Sequence, residues 1–234
     1  QLRSAKYPSA ASLPGLAVTA SLPGRSTPRR LKQPVRFLMR HWRALHATKT
    51  NRYIMTSTPL EEIIIRHTTP EDLPVFRELR LKALKDHPTA YGSDYEEALL
   101  KPLSYWEGRL AIIEKEQAMF LAEHNGQLIG MTGIFRNMTK KNHHSASIIS
   151  VYVRPEWRGK HIAEALIRTC LDWAIKHEVV IVKLAVVTSN ASAIRSYERC
   201  GFKIYGTDPK ALCIDGVYYD EHLMALEIPH PSKE

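Results

Sequence analysis

The chain has 234 residues, of which 44% are apolar and 24% charged, as is ordinary for one globular domain with an extension. It contains no run of 18 apolar residues, so no membrane span is predicted, and its three cysteines form no CxxC pair, which disfavours a structural zinc site or a disulfide framework. The net charge of +9 belongs to one end, because residues 1–54 hold 11 of the 33 Lys and Arg residues and none of the 24 Asp and Glu residues.

Residues 1–57 differ from the rest of the chain and are predicted to lie outside the folded domain, which we place at residues 58–230. The segment is basic and rich in Pro, Ser and Ala. Three interpretations remain open: a disordered tail, a targeting presequence, or an extension that is not translated because synthesis begins at Met55. The remaining chain carries 22 positive and 24 negative charges, so nucleic acid is not favoured as a partner, except through the basic tail itself.

The domain begins with a predicted strand at 61–67 and a helix that follows Thr69 and Pro70, a cap and a first-turn proline. Residues 94–117 predict one or two further helices with a break near Pro102. Two strands joined by Asn125-Gly126 form a predicted hairpin, because this dipeptide suits a tight turn. These elements place a meander of strands directly after the first helices.

A strand at 144–153, a helix at about 159–177 and a strand at 179–187 come next. A second strand-to-helix turn follows at 188–202, and a last hairpin turns near Asp215-Gly216. The order of strands and helices predicts an α/β (α+β) fold with a mixed, mostly antiparallel central sheet flanked by helices, in which the crossover requires at least one parallel pair.

The turn between the strand at 144–153 and its helix is suited to an anion. The first N–H groups of a helix lack backbone partners and carry partial positive charge. Arg158 and Lys160 add cationic side chains, and Gly159 permits close approach of a ligand. An ordinary turn with solvated charges would also explain these residues, so the turn by itself only suggests a phosphate site.

Two stretches resemble the signatures of the GNAT-type (Gcn5-related) N-acetyltransferases. In "YVRPEWRGKHIAEALI" (152–167), Arg158 opens the family's acetyl-CoA pattern and Ala163 closes it, while His161 stands where the family usually has glycine. In "NASAIRSYERCGF" (190–202) the matching positions are Asn190, Ala193, Ile194, Tyr197, Gly201 and Phe202. The resemblance covers about residues 61–228 and implies the acyl-CoA N-acyltransferase fold, with a sheet splayed after its fourth strand.

The resemblance implies an acetyl-CoA-dependent N-acetyltransferase that acetylates a primary amine of a small molecule or peptide by direct attack in a ternary complex. Acetyl-CoA would be the cosubstrate, with no metal. Tyr197 would be the general acid, and Val153 N–H would stabilise the oxyanion. The implied acetyl-CoA-binding residues are Val151, Tyr152, Val153, Arg158, Gly159, Lys160, His161, Ile162, Ala163, Asn190 and Tyr197.

The general base is not identified by the sequence. Many relatives carry a carboxylate just before the segment that matches Val151–Val153, and this chain has Ser150 there. The side chains weighed for the base are Glu156, Tyr152, Asp220, Glu221 and His222, besides a water chain. The absent carboxylate motivates a second hypothesis, a non-catalytic acyl-CoA-binding sensor or interaction module on the same fold.

The acceptor amine is not identified either. Acceptor recognition is expected from the early helices and from loops at 90–95, 138–144 and 207–220, with Tyr91, Asp94, Tyr95, Glu96 and Glu97 as candidate contacts. The scattered cysteines favour a reducing, cytoplasmic location. A membrane is not expected as a partner, and a homodimer remains open.

Overall fold

An eight-stranded mixed sheet forms the centre of the part of the chain that the computed structural model describes, residues 53–55 and 63–229. The strand order is β1-β2-β3-β4-β5-β6-β8-β7. The strands are β1 (Tyr53–Met55), β2 (Ile63–His67), β3 (Gln117–His124), β4 (Gln127–Arg136), β5 (Ser145–Val153), β6 (Ile181–Val187), β7 (Lys203–Ile214) and β8 (Val217–Glu227).

Five α-helices flank this sheet within the described residues. They are α1 (Leu73–Asp86), α2 (Tyr95–Leu99), α3 (Leu103–Leu110), α4 (Ile162–Lys176) and α5 (Ala191–Arg199). As predicted, the helical segment after residue 94 is broken at Pro102, which precedes α3. Helix α4 begins three residues later than predicted because Gly159 and His161 both have positive φ, which a right-handed helix does not accommodate.

The sheet splays open between β5 and β6. These strands are parallel, but they pair only from Ser145 to Ser147, opposite Ile181 to Lys183, although both continue further. All other neighbouring strands of the described sheet are antiparallel. Strand β5 is the fourth of the strands predicted from the sequence, so the predicted fold and the position of its splay are confirmed.

Strand β1 was missed by the sequence analysis and lies within the segment 1–57 that was assigned to the tail. Three residues are too few to show a periodic pattern, and the strand exists through its antiparallel pairing with Ile63–Ile65. The rest of 1–57 lies outside the described residues, so the three interpretations of the tail remain predictions. In the described part of the chain, no helix is both long and apolar enough to cross a membrane.

Each face of the sheet carries its own apolar core, and the two cores fix the helices that surround the site. On one face α4 packs through Ile162, Leu166, Cys170 and Trp173, the stripe that its sequence predicts. On the other face α1 and α3 pack together through Phe76, Leu79 and Trp106. Burial of each Leu, Ile or Phe side chain contributes about 1.5–3 kcal/mol, so all three helices are firmly held on the sheet.

Candidate active site

A cleft of about 600 Å³ opens where β5 and β6 diverge. Its walls come from the end of β5, the loop before α4, the first turn of α4, the end of β6 and helix α5. Every residue that the sequence analysis assigned to acetyl-CoA binding, except Lys160, lines this cleft. The structure therefore brings together two signatures that lie about 30 residues apart in the chain.

Lys160 does not belong to the cleft wall. Its Nζ lies 4.7 Å from the centroid of the Trp157 ring, and Trp157 itself lines the cleft. An ammonium group over an indole face is favoured because the ring face carries negative charge density. The assignment of Lys160 to acetyl-CoA binding stays a prediction, with its ammonium group held beside the cleft wall by Trp157.

The loop before α4 leaves the helix amides free to bind an anion. No side chain caps α4. By contrast, the Oδ1 atom of Asn190 caps α5 by accepting a hydrogen bond from Ala193 N–H at 3.2 Å. Uncapped first-turn N–H groups that face a cleft are suitable donors to a phosphate, and the helix dipole adds to their attraction.

His161 adopts the left-handed conformation, with φ 59° and ψ 21°. Glycine reaches this backbone geometry without steric cost, which is consistent with the glycine in the family signature that this turn resembles. The imidazole is 65% exposed, and its Nδ1 lies 3.4 Å from Glu164 Oε1. The imidazole therefore lies along the first turn of α4. The backbone of His161 itself is strained by its positive φ.

Replacing His161 with Gly is expected to raise the free energy of unfolding by about 1 kcal/mol, because a non-glycine residue in the left-handed region costs about 1–2 kcal/mol. Urea unfolding of purified protein would measure this change. His161→Ala is the matched control, since it removes the imidazole but keeps the strain. Equal stability of the two variants would show that the backbone conformation carries no cost here.

Glu164 places a negative charge beside the anion-binding turn and is itself closely paired. Burial opposes its ionisation, but its backbone hydrogen bond and those from Arg199 and His161 hold the pKa of Glu164 below its ordinary value. Arg199 donates to Glu164 Oε1 at 2.9 Å and Ser196 Oγ donates at 3.2 Å. These contacts fasten α5 to the first turn of α4 and offset the repulsion between Glu164 and a bound anion.

Arg158 bridges two walls of the cleft. Its Nε donates to the Val153 carbonyl oxygen at 3.1 Å, and its Nη2 lies 2.7 Å from Nε2 of His87. Burial, and then the charge of Arg158, lower the pKa of His87, so the imidazole is neutral at pH 7 and accepts this bond. His87 is not among the residues predicted from the sequence, because a histidine at the end of α1 carries no pattern that marks it.

The backbone of Val153 points into the cleft. Arg154 N–H donates to the Ile129 carbonyl oxygen at 2.8 Å, and Gly130 lies opposite Val153. Hydrogen-bonded and non-bonded pairs alternate along an antiparallel ladder, so Gly130 and Val153 form a non-bonded pair. The N–H and C=O groups of Val153 therefore face away from β4, towards the gap left by β6.

Strand β5 also contains a bulge just before this segment. Ser150 has φ 59°, and the pairing with β4 shifts between Met131 and Gly133. The bulge changes the direction of the backbone, and the Val151 carbonyl oxygen accepts a hydrogen bond from the Tyr91 hydroxyl at 3.0 Å. Tyr91, which the sequence analysis proposed as an acceptor contact, thus lines the cleft beside β5.

Tyr197 projects from α5 into the same cleft, with its ring edge against Phe202 at a centroid distance of 6.1 Å. Burial, followed by the nearby Tyr91, raises the pKa of Tyr197 above its usual value. The phenol is therefore protonated throughout the neutral range and is suited to donate a proton.

Most of the side chains weighed for the general base do not line the cleft. Tyr152 lines it, but its hydroxyl is buried without a hydrogen-bond partner among the described residues. Asp220, Glu221 and His222 lie on β8, and Glu156 lies in a short 3-10 helix; none of the four lines the cleft. Across residues 63–229, no group of three or more His, Cys, Asp or Glu side chains is placed to hold a metal ion.

Comparison with known proteins agrees with this geometry. A family model described as the acetyltransferase (GNAT) family matches residues 78–202, which include both signatures. An uncharacterized N-acetyltransferase of Methanocaldococcus jannaschii is 32% identical over 143 residues, which is 59% of this chain and 60% of that protein. The L-amino acid N-acetyltransferase AaaT of Escherichia coli is 28% identical over 171 residues, 71% of this chain and 98% of that protein.

A solved structure shares the fold. The putative acetyltransferase yncA from Salmonella typhimurium, determined with its cofactor acetyl-CoA, superposes with a TM-score of 0.60 at 21% sequence identity. The match covers 74% of this chain and 98% of that one. At this identity the likeness supports the fold alone.

Proposed function

The chain belongs to the acetyltransferase (GNAT) family, and from this membership we propose that it transfers an acetyl group from acetyl-CoA to a primary amine of a small molecule or peptide. The transfer would proceed by direct attack of the amine while both substrates are bound. The observation that carries this proposal is the uncapped first turn of α4, which opens onto the cleft between β5 and β6.

Binding of acetyl-CoA would use three parts of the cleft. The amides of the α4 first turn and the guanidinium of Arg158 would hold the pyrophosphate, since both offer donors to an anion. The cleft-facing backbone of β5 at Val151 and Val153 would bond the pantetheine arm. Because Asn190 Oδ1 already caps α5, its amide Nδ2 would supply the donor to that arm.

In the chemical step, the neutral amine nitrogen would form a bond to the thioester carbonyl carbon, and the carbon–sulfur bond would then break. Val153 N–H, which points into the cleft, would stabilise the oxyanion of the tetrahedral intermediate. One such donor is typically worth about 3–4 kcal/mol. Tyr197 would give its proton to the departing CoA sulfur, and the proton lost by the amine would pass through water in the cleft and restore the phenol.

A second candidate function is a non-catalytic acyl-CoA sensor on the same fold. Ser150 stands where many relatives carry a carboxylate, and its hydroxyl accepts a hydrogen bond from Arg109 at 2.9 Å. An arginine beside this position offers no base for the amine. The Ser150–Arg109 contact does not affect the residues proposed to bind acetyl-CoA. It argues only against catalytic turnover.

A calorimetric titration of the full chain with acetyl-CoA tests the binding part of the proposal and should show saturable binding. A panel of primary amines, followed by release of free CoA thiol, tests the transfer. Binding without thiol release from any amine would favour the sensor. An absence of heat at millimolar acetyl-CoA would contradict both functions.

We also propose that the protein works in a reducing, cytoplasmic compartment. The observation in favour is that Cys170, Cys200 and Cys213 are all free thiols, although Cys213 is exposed. A homodimer stays a prediction that a sedimentation measurement would test.

A further inference from the structure

Two arginines lie behind the cleft wall on the face of the sheet that carries α1 and α3, although neither lines the cleft itself. Arg80 of α1 is only 4% exposed, and its guanidinium carbon lies 4.3 Å from the centroid of the Tyr91 ring. Arg109 of α3 is half-buried; its Nη2 donates to Ser150 Oγ at 2.9 Å and its Nη1 to the Tyr105 hydroxyl at 3.3 Å. Both side chains are thus held by neutral groups.

Neither guanidinium forms an ion pair with a carboxylate in the part of the chain that the structure describes. Arg80 Nη1 and Arg109 Nε are buried, and both lack a hydrogen-bond partner there. Burial, and next the charge of Arg109, lower the pKa of Arg80 to about 10. A buried cation beside a half-buried one, without a counter-ion among the described residues, is costly, since desolvation of Arg80 is not offset by an opposite charge.

The position of this pair connects it to the reacting end of the cleft. Ser150, the partner of Arg109, forms the β5 bulge, three residues before Val153. At about 3.3 Å per residue these two positions are separated by no more than about 10 Å. Tyr91, whose ring covers Arg80, lines the cleft and bonds to Val151.

We propose that the acceptor is an amine that also carries a carboxylate, and that Arg109, supported by the positive charge of Arg80, binds this carboxylate. The inference rests on the proposed acetyl transfer and narrows its acceptor class to amino carboxylates. A carboxylate bound at Arg109 would supply the counter-ion that both guanidinium groups lack among the described residues. Because a guanidinium offers two parallel donors to a carboxylate, it would also fix the orientation of the amine.

The same charges disfavour acceptors that are only cationic. A polyamine would bring further positive charge towards Arg80 and Arg109, and like charges at short range repel. Positive charge near the acceptor also lowers the pKa of its ammonium group, which favours the neutral, attacking form. The lower pKa would make it easier for the acceptor's ammonium group to lose its proton, although Ser150 provides no carboxylate base.

The first experiment compares amines in matched pairs, each an amino carboxylate and the amide in which the carboxylate is neutralised. The ratio of their kcat/KM values, from CoA thiol release by the full chain, should favour the carboxylate by about 10- to 100-fold, as a charge-assisted contact predicts. A series of ω-amino acids with increasing chain length would locate the amine relative to the anion site. A ratio near one for every pair would overturn the inference.

The second experiment abolishes the proposed carboxylate-binding site at Arg109 and leaves the acetyl-CoA cleft intact. Ser150→Asp places a carboxylate against Arg109, and aspartate tolerates the positive φ of this position. The variant should lose most of the preference for carboxylates. Ser150→Asn is the matched control of similar size without charge, and it should keep the preference. Arg109→Gln should behave like Ser150→Asp, and circular dichroism with acetyl-CoA titration confirms folding of each variant.

A direct binding measurement separates this inference from the proposed function. Calorimetry with an N-acetylated amino acid, which keeps the carboxylate but lacks the amine, should give heat with the wild-type chain and with Ser150→Asn, and none with Ser150→Asp. If no amine is acetylated but this pattern is seen, the anion site stands and the transfer is wrong. If amines are acetylated and the N-acetylated amino acid does not bind, the transfer stands and the anion site is wrong.

Discussion

Replacing Tyr197 with Phe is expected to lower kcat by about 10²–10⁴-fold, the usual contribution of a positioned general acid, with little change in acetyl-CoA affinity. The substitution removes one hydroxyl and keeps the ring that packs against Phe202. Because burial raises the pKa of Tyr197, the wild-type phenol stays protonated as the pH rises from 6 to 9, so it should cause no loss of kcat in this range. Initial rates of thiol release across this range measure both expectations.

Tyr205→Phe is a matched control, since Tyr205 is 58% exposed and lies outside the cleft. It should leave kcat and acetyl-CoA affinity unchanged. A Tyr197→Phe variant with wild-type kcat would remove Tyr197 from the mechanism. A variant with weaker acetyl-CoA binding and unchanged kcat at saturation would make Tyr197 a binding residue instead.

Replacing Arg158 with Gln is expected to weaken acetyl-CoA binding by about 10- to 150-fold, because a charge-assisted contact to phosphate is worth about 1.5–3 kcal/mol. The loss should be confined to affinity, and kcat at saturating acetyl-CoA should change little. Calorimetry at two salt concentrations measures the effect, which should shrink as salt screens the charge.

The ligand itself provides a strict control for Arg158. An acetyl-pantetheine thioester lacks the pyrophosphate, so its affinity should be the same for wild type and Arg158→Gln. Arg168→Gln removes an exposed charge from α4 outside the cleft and should leave acetyl-CoA affinity unaltered. Equal losses for the full and the truncated ligand would mean that Arg158 acts by holding Val153 and His87 in place, rather than by binding phosphate.

The sequence correctly predicted those features that depend on a short stretch of residues. The apolar stripe of α4 and the break at Pro102 are short-range features, and the structure has them. His161 stands where the family signature usually has glycine. The structure shows that the position is governed by backbone conformation, because His161 sits at positive φ.

Contacts between distant segments could not be predicted in the same way. His87 meets Arg158 across 71 residues, and Arg109 meets Ser150 across 41. No sequence pattern marks His87 or Arg109, because a polar or charged residue on a helix is most often solvated. The bulge at Ser150 also has no glycine to signal it.

By itself, the sequence determined the order of strands and helices from β2 onwards and the two signatures whose residues line the cleft. These follow from periodicity, caps and turns, in which each residue acts on neighbours a few positions away. Only the tertiary structure decided where β5 leaves β6, which side chains face that gap and which charges are buried without a counter-ion. Such properties depend on pairing register and packing between segments far apart in the chain, and a local pattern does not encode them.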